Sequence, residues 1–110
     1  GWHRMGIDEK TIEDIVQRIL SVAQPDKIIL FGSAATGRMT RDSDIDLLIV
    51  KPDISDQRTE YARIIKALWD IHVPFDVLFI ATQWFEESKD VVGGIAYPAN
   101  KYGKVIYEAA

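Results

Sequence analysis

Gly32-Ser33 and, further along, Asp44-Ile45-Asp46 are the residues of this chain whose types and spacing suit chemistry. Alternate residues of a strand project to the same face. Asp44 and Asp46 therefore point together, while Ile45 and Leu47 turn to the opposite, buried side. Two carboxylates about 5 Å apart repel by roughly 3 kcal/mol at an effective dielectric near 20. Such a pair calls for a cation, a proton or a salt-bridge partner. Mg²⁺ is the natural hard cation, because it takes carboxylate oxygens and completes its shell with water and phosphate oxygens. A third carboxylate stands at Asp76, the one charge in the apolar run Phe75 to Ile80, and a lone aspartate there needs a partner. If that run lies beside the strand of Asp46, three carboxylates converge. Three suit a two-metal site, with one ion on a triphosphate and the other on an incoming hydroxyl.

Gly32-Ser33 supplies the complementary half. Glycine lets the backbone approach a phosphate closely and accepts unusual dihedrals. The amides of the following turn then face the anion, and the Ser33 hydroxyl adds a donor. Arg38, with Arg41 in the same polar loop, is a candidate to neutralise a triphosphate, although a solvated loop arginine is the commoner case. Ser43 is a candidate nucleotide contact or a loop cap. A P-loop is excluded because no Gly-Lys-Ser/Thr occurs, and a dinucleotide fingerprint because no Gly-x-Gly-x-x-Gly occurs.

The elements that must position these residues are legible from periodicity. Ile12, Ile15, Val16, Ile19, Leu20 and Ala23 recur at helical spacing, with Asp8 or Thr11 as cap and Pro25 as stop. Lys27 to Phe31 is short, β-branched and bounded by Pro25 and Gly32, so it reads as a buried strand. A helical turn over Ser33 to Arg38 and a polar loop over Met39 to Ser43 lead to a second strand, Ile45 to Val50. Tyr61, Ile64, Ile65 and Leu68 form a helical stripe opening near Ser55 or Asp56. Phe75 to Ile80 is a third strand, followed by a helix with Thr82 as N-cap. A short helix around Pro98, closed by Gly103, precedes a last strand over Lys104 to Tyr107. Trp69, Trp84 and Phe85 are candidates to stack on an adenine, yet aromatics beside helical stripes are usually core, and that is the expectation here. The sum is an α/β (α+β) domain, a small mixed sheet flanked by helices.

The chain has 110 residues, of which 47% are hydrophobic, enough for one compact domain with a core. We assign 5–110 to that domain and read Gly1-Trp2-His3-Arg4 as a possible tag remnant before Met5. Net charge is −4, from 17 acidic and 13 basic residues. That balance gives no electrostatic footprint for independent nucleic-acid binding. Without cysteine there is neither a disulfide framework nor a thiolate metal site, which fits a cytoplasmic location. No apolar run reaches membrane-spanning length. His72 has no second histidine near it in sequence, and Asp42 falls outside the face of the acidic pair.

Gly32-Ser33 in a Gly-Ser-x-Ala-x-Gly run, the Ser43-Asp44-Ile45-Asp46-Leu47 segment and the later Asp76 resemble the DNA polymerase β-like nucleotidyltransferase superfamily. Within it they look most like the minimal nucleotidyltransferases, stand-alone catalytic domains of about this length. The resemblance covers nearly the whole chain from Met5. It implies that Ser33 contacts the nucleotide phosphates and that Asp44 and Asp46 hold two Mg²⁺ ions. By the same resemblance, Asp76 completes the second metal site and positions or deprotonates the acceptor. It also implies ATP as substrate, and an antitoxin role beside a HEPN-domain toxin with which the chain forms a hetero-oligomer. By the resemblance, the toxin would be silenced by AMP transfer to one of its tyrosines. The alternative is an antitoxin that neutralises its partner by occlusion, without catalysis.

Overall fold

The computed structural model describes residues 8–36 and 44–110. Arg38, Ser43, the remainder of their loop and residues 1–7, with the possible tag remnant and Met5, lie outside the described residues. Helix α1, Glu9–Leu20, is capped by Asp8, whose carboxylate accepts from the Thr11 N–H at 2.8 Å. Strand β1, Lys27–Phe31, runs into the one-turn helix α2, Ser33–Thr36. Strand β2 is Ile45–Lys51, helix α3 is Gln57–Ala67, and a 3₁₀ turn covers Trp69–Ile71. Strand β3, Phe75–Ala81, leads directly into α4, Thr82–Ser88. Helix α5, Ala96–Tyr102, and strand β4, Lys104–Glu108, follow. The sheet order is β3-β2-β1-β4, with β2·β3 parallel and the other two pairs antiparallel. This is the mixed, helix-flanked sheet expected from the sequence.

Central β2 is buried on both faces, which explains its unbroken apolar run from Leu47 to Val50. Ile45, Leu47 and Ile49 pack with Ile28, Leu30 and Val77 under α1 and α3, through Ile15, Ile19 and Ile64. Leu48, Val50, Ile29 and Ile80 form a second core under α4 and α5, through Phe85, Ala96 and Ala99. Asp46 belongs to that second face, because it shares alternation with Leu48 and Val50. Helices α4 and α5 therefore cover one end of the face, and the carboxylates lie at the other.

Three expectations need correction. Trp69 and Trp84 are not core residues: they are 75% and 62% exposed, while Phe85 is buried at 1%. Trp84 and Phe85 are consecutive on one helix, so they diverge by about 100° and only one meets the sheet. Nor does Thr82 cap its helix. Strand β3 runs one residue further than expected, Ala81 takes the cap position, and the Thr82 hydroxyl donates to Asp26 Oδ2. Finally, Asp76 is exposed, because β3 is an edge strand with Asp76 near its start.

Candidate active site

The carboxylates meet where β1 ends and β2 and β3 begin. Asp46 stands directly opposite Asp76 across the parallel β2·β3 pair, and opposite Phe31 across β1·β2. The condition set by the sequence, that the strand of Asp76 neighbour that of Asp46, is therefore met. Residues paired in register share a face, so Asp46 and Asp76 form a row, with strands about 4.8 Å apart. Asp44 precedes β2 and is exposed, as is Asp76; Asp46 is partly buried.

Asp46 carries the electrostatic consequence of this arrangement. Burial pushes its carboxyl above the ordinary aspartate range, and Asp76 and then Asp44 push it the same way. Among the described residues no lysine or arginine forms an ion pair with any of the three. No three His, Cys, Asp or Glu side chains among the described residues stand close enough to make a ready metal cage. The donor chemistry still suits a hard cation, since every candidate ligand atom is a carboxylate oxygen and no ion pair among the described residues offsets the charge of the cluster.

Gly32 closes the site from β1. Its φ is +69°, a left-handed conformation that follows the last residue of the strand. A Cβ built there would overlap Asp46 Oδ2 and fall 3.1 Å from Asp46 Cγ. The space left by the absent side chain is thus filled by the Asp46 carboxylate. A steric demand within the protein adds to the phosphate approach expected of this glycine. Ser33 opens α2 immediately afterwards, and the buried Ala34 anchors that turn in the core. Gly32, Ser33, Asp44, Asp46 and Asp76 are gathered at one end of the sheet. Arg38 and Ser43 cannot be placed among them, because they lie outside the described residues.

The family described as a nucleotidyltransferase domain matches residues 9–96, which include all five of these site residues. This chain belongs to that family. The family implied by the Gly-Ser and Asp-x-Asp pattern is therefore borne out, as is the mixed α/β fold. No curated protein sequence matches the chain. Among solved structures, a toxin–antitoxin with AMP-PNP is similar at TM-score 0.68 and 19% identity, covering 89% of this chain and 73% of that one. A mutant of the toxin–antitoxin MntA-HpeT is similar at TM-score 0.62 and 17% identity, covering 94% and 75%. At such identities the likeness establishes the shared fold. Among the described residues no helix is long and apolar enough to cross a membrane.

Two residues of this nucleotidyltransferase domain went unremarked in sequence. Phe31 packs on the carboxylate face beside Asp46, a position readable only from strand register. Arg58 lies on α3 in a groove along β3, and in sequence it is one charge on a polar helix face.

Proposed function

We propose that this domain transfers AMP from ATP to a tyrosine hydroxyl of a HEPN-type toxin and so acts as its antitoxin. The observation that carries the reading is the row formed by Asp46 and Asp76, with Asp44 beside it and Gly32 packed on Asp46. Family membership supports nucleotidyl transfer. The toxin–antitoxin structures of similar fold, one of them with AMP-PNP, support the partner class and the nucleotide.

In this reading Asp44 and Asp46 would hold two Mg²⁺ ions, and Asp76 would complete the second site. When bound, the ions supply charge neutralisation for the triphosphate and lower the proton affinity of the acceptor. Gly32 and the turn at Ser33 bind the phosphates through main-chain amides and the serine hydroxyl. The acceptor oxygen bonds to the α-phosphorus, the bond from that phosphorus to the bridging oxygen breaks, and pyrophosphate leaves. The hydroxyl proton passes to a carboxylate, a role we assign to Asp76 as the one on the open edge strand. Holding the hydroxyl in line with the α-phosphorus supplies much of the acceleration, about 7 kcal/mol or more for well-oriented reactants.

The test is intact-mass spectrometry of the partner after incubation with this chain, ATP and Mg²⁺. A gain of one or more AMP units, absent with Asp44→Asn or Asp46→Asn, is expected. A partner neutralised equally by both variants, with its mass unchanged, would show inhibition by binding alone.

A further inference from the structure

Strand β3 is an edge of the sheet and begins at the carboxylate row. Its inner side is satisfied by β2: the Ile45 N–H donates to Pro74 O at 2.8 Å, opening the parallel ladder. In such a ladder, alternate residues turn their main-chain groups inward. Asp76 and Leu78 therefore face β2, whereas Phe75, Val77 and Phe79 present N–H and C=O outward. Among the described residues β3 has no strand partner on that side. Alongside runs a groove of about 400 Å³ between Arg58 and Tyr61 of α3 and Val77, Leu78 and Phe79 of β3. Tyr61 is exposed there, Leu78 is exposed on the opposite, Asp76 face of the strand, and Trp69 extends the apolar surface beyond α3.

The exposed charge of α3, the helix next to this edge, is opposite to that of the chain as a whole. Arg58, Arg63 and Lys66 are exposed on α3, and none forms an ion pair among the described residues. The remaining charge of that helix, Glu60, is turned inward and held by Lys51 Nζ at 2.9 Å. Arg58 lines the groove and stands about one turn before the exposed Tyr61, while Arg63 and Lys66 lie on the exposed surface further round α3. In a protein of net charge −4, this is a basic and aromatic face.

We infer that the outer edge of β3 takes up an extended, acidic segment of the acceptor protein as an added strand, carrying its acceptor hydroxyl into line with Asp46 and Asp76. A strand paired to β3 sets the residue opposite Asp76 on the same sheet face, about 4.8 Å further along the row. The hydroxyl of that residue then follows Asp46 and Asp76 as the next side chain in sequence across the sheet. Leu78 receives the apolar side chain two positions on, and the cations of α3 receive the acidic flank. The occupant is an extended tail or loop of the partner, not one of its helices. The identity of the acceptor rests on the function proposed above; the strand addition does not.

Hydrogen exchange on the complex with the co-expressed HEPN-domain partner tests this. The Val77 and Phe79 amides, which have no backbone partner among the described residues, are expected to slow at least about tenfold in the complex, as ladder amides do. Arg58→Glu combined with Lys66→Glu, both on exposed helix positions, is expected to weaken the complex at least about tenfold while leaving AMP-PNP binding unchanged. A complex in which those two amides exchange as in the free chain, or which ignores the charge reversal, would overturn the inference, as would the lack of any complex. Protected amides together with an unchanged partner mass would leave the edge interaction standing and remove the transfer reaction instead.

Discussion

Asp46 and Asp76 face each other in register across the parallel β2·β3 pair, one partly buried and the other exposed. The asymmetry has a cause in the topology. Strand β2 is central and covered, while β3 is the edge, so two carboxylates of the same row meet different solvent. Asp46 bears the cost of burial and of both like-charged neighbours, which is why its carboxyl is pushed up. In the reading proposed above, the exposed partner is the one left to the acceptor.

Replacing Asp46 by Asn removes a charge that the metal-free fold disfavours. The folded carboxyl is shifted above its ordinary value of 3.8, so the penalty is absent below that pH and complete above the raised folded value. Asp46→Asn is therefore expected to raise the metal-free Tm at pH 7, with the gain vanishing below pH 3.8. Nucleotidyl transfer by the same variant should fall by several orders of magnitude. Paired melts at the two pH values, followed by the mass assay, check both halves. A lower Tm at pH 7 would show that Asp46 is not electrostatically strained.

Gly32→Ala meets two obstacles at once. The left-handed φ of +69° costs a non-glycine residue about 1 kcal/mol or more, and the new methyl collides with Asp46 Oδ2. We expect a loss of about 1–3 kcal/mol by chemical denaturation, together with weakened transfer as the carboxylate is displaced. A stable variant of full activity would mean that Asp46 has another position equally fit for its task.

Calorimetry with AMP-PNP separates the charge-neutralising reading from simple anion binding. With Mg²⁺ present, the carboxylate row and the phosphates are no longer mutually repulsive, and binding is expected. Removal of the metal should weaken it at least about tenfold, from the repulsion between triphosphate and carboxylates alone. Equal affinity under both conditions would remove Asp44, Asp46 and Asp76 as ligands.

Adjacent aromatics on α4 should respond oppositely to truncation. Phe85 fills the second core beside Leu48 and Val50, so Phe85→Ala is expected to cost about 3–5 kcal/mol. Trp84 is largely exposed, and Trp84→Ala should stay within about 0.5 kcal/mol. Urea titrations of the two variants decide it. A costly Trp84→Ala would place that indole in contacts that its exposure denies.

Local pattern alone determined a good deal about this domain. A cap at Asp8 or Thr11, the strand around Phe31, the strand opening at Ile45 and the helical turn after Gly32 all follow from periods and residue types within a few positions. The family could be recognised for the same reason, since its Gly-Ser and Asp-x-Asp signals are short-range. Only the tertiary structure decided that β3 lies parallel to β2 with Asp76 against Asp46, a pairing between segments separated by the whole of α3. It likewise decided that Phe85 is buried and Trp84 exposed, and that the space above Gly32 belongs to Asp46. Periodicity states which residues share a face. What covers that face, and how far an edge strand stands in solvent, depends on contacts between distant parts of the chain that no local pattern encodes.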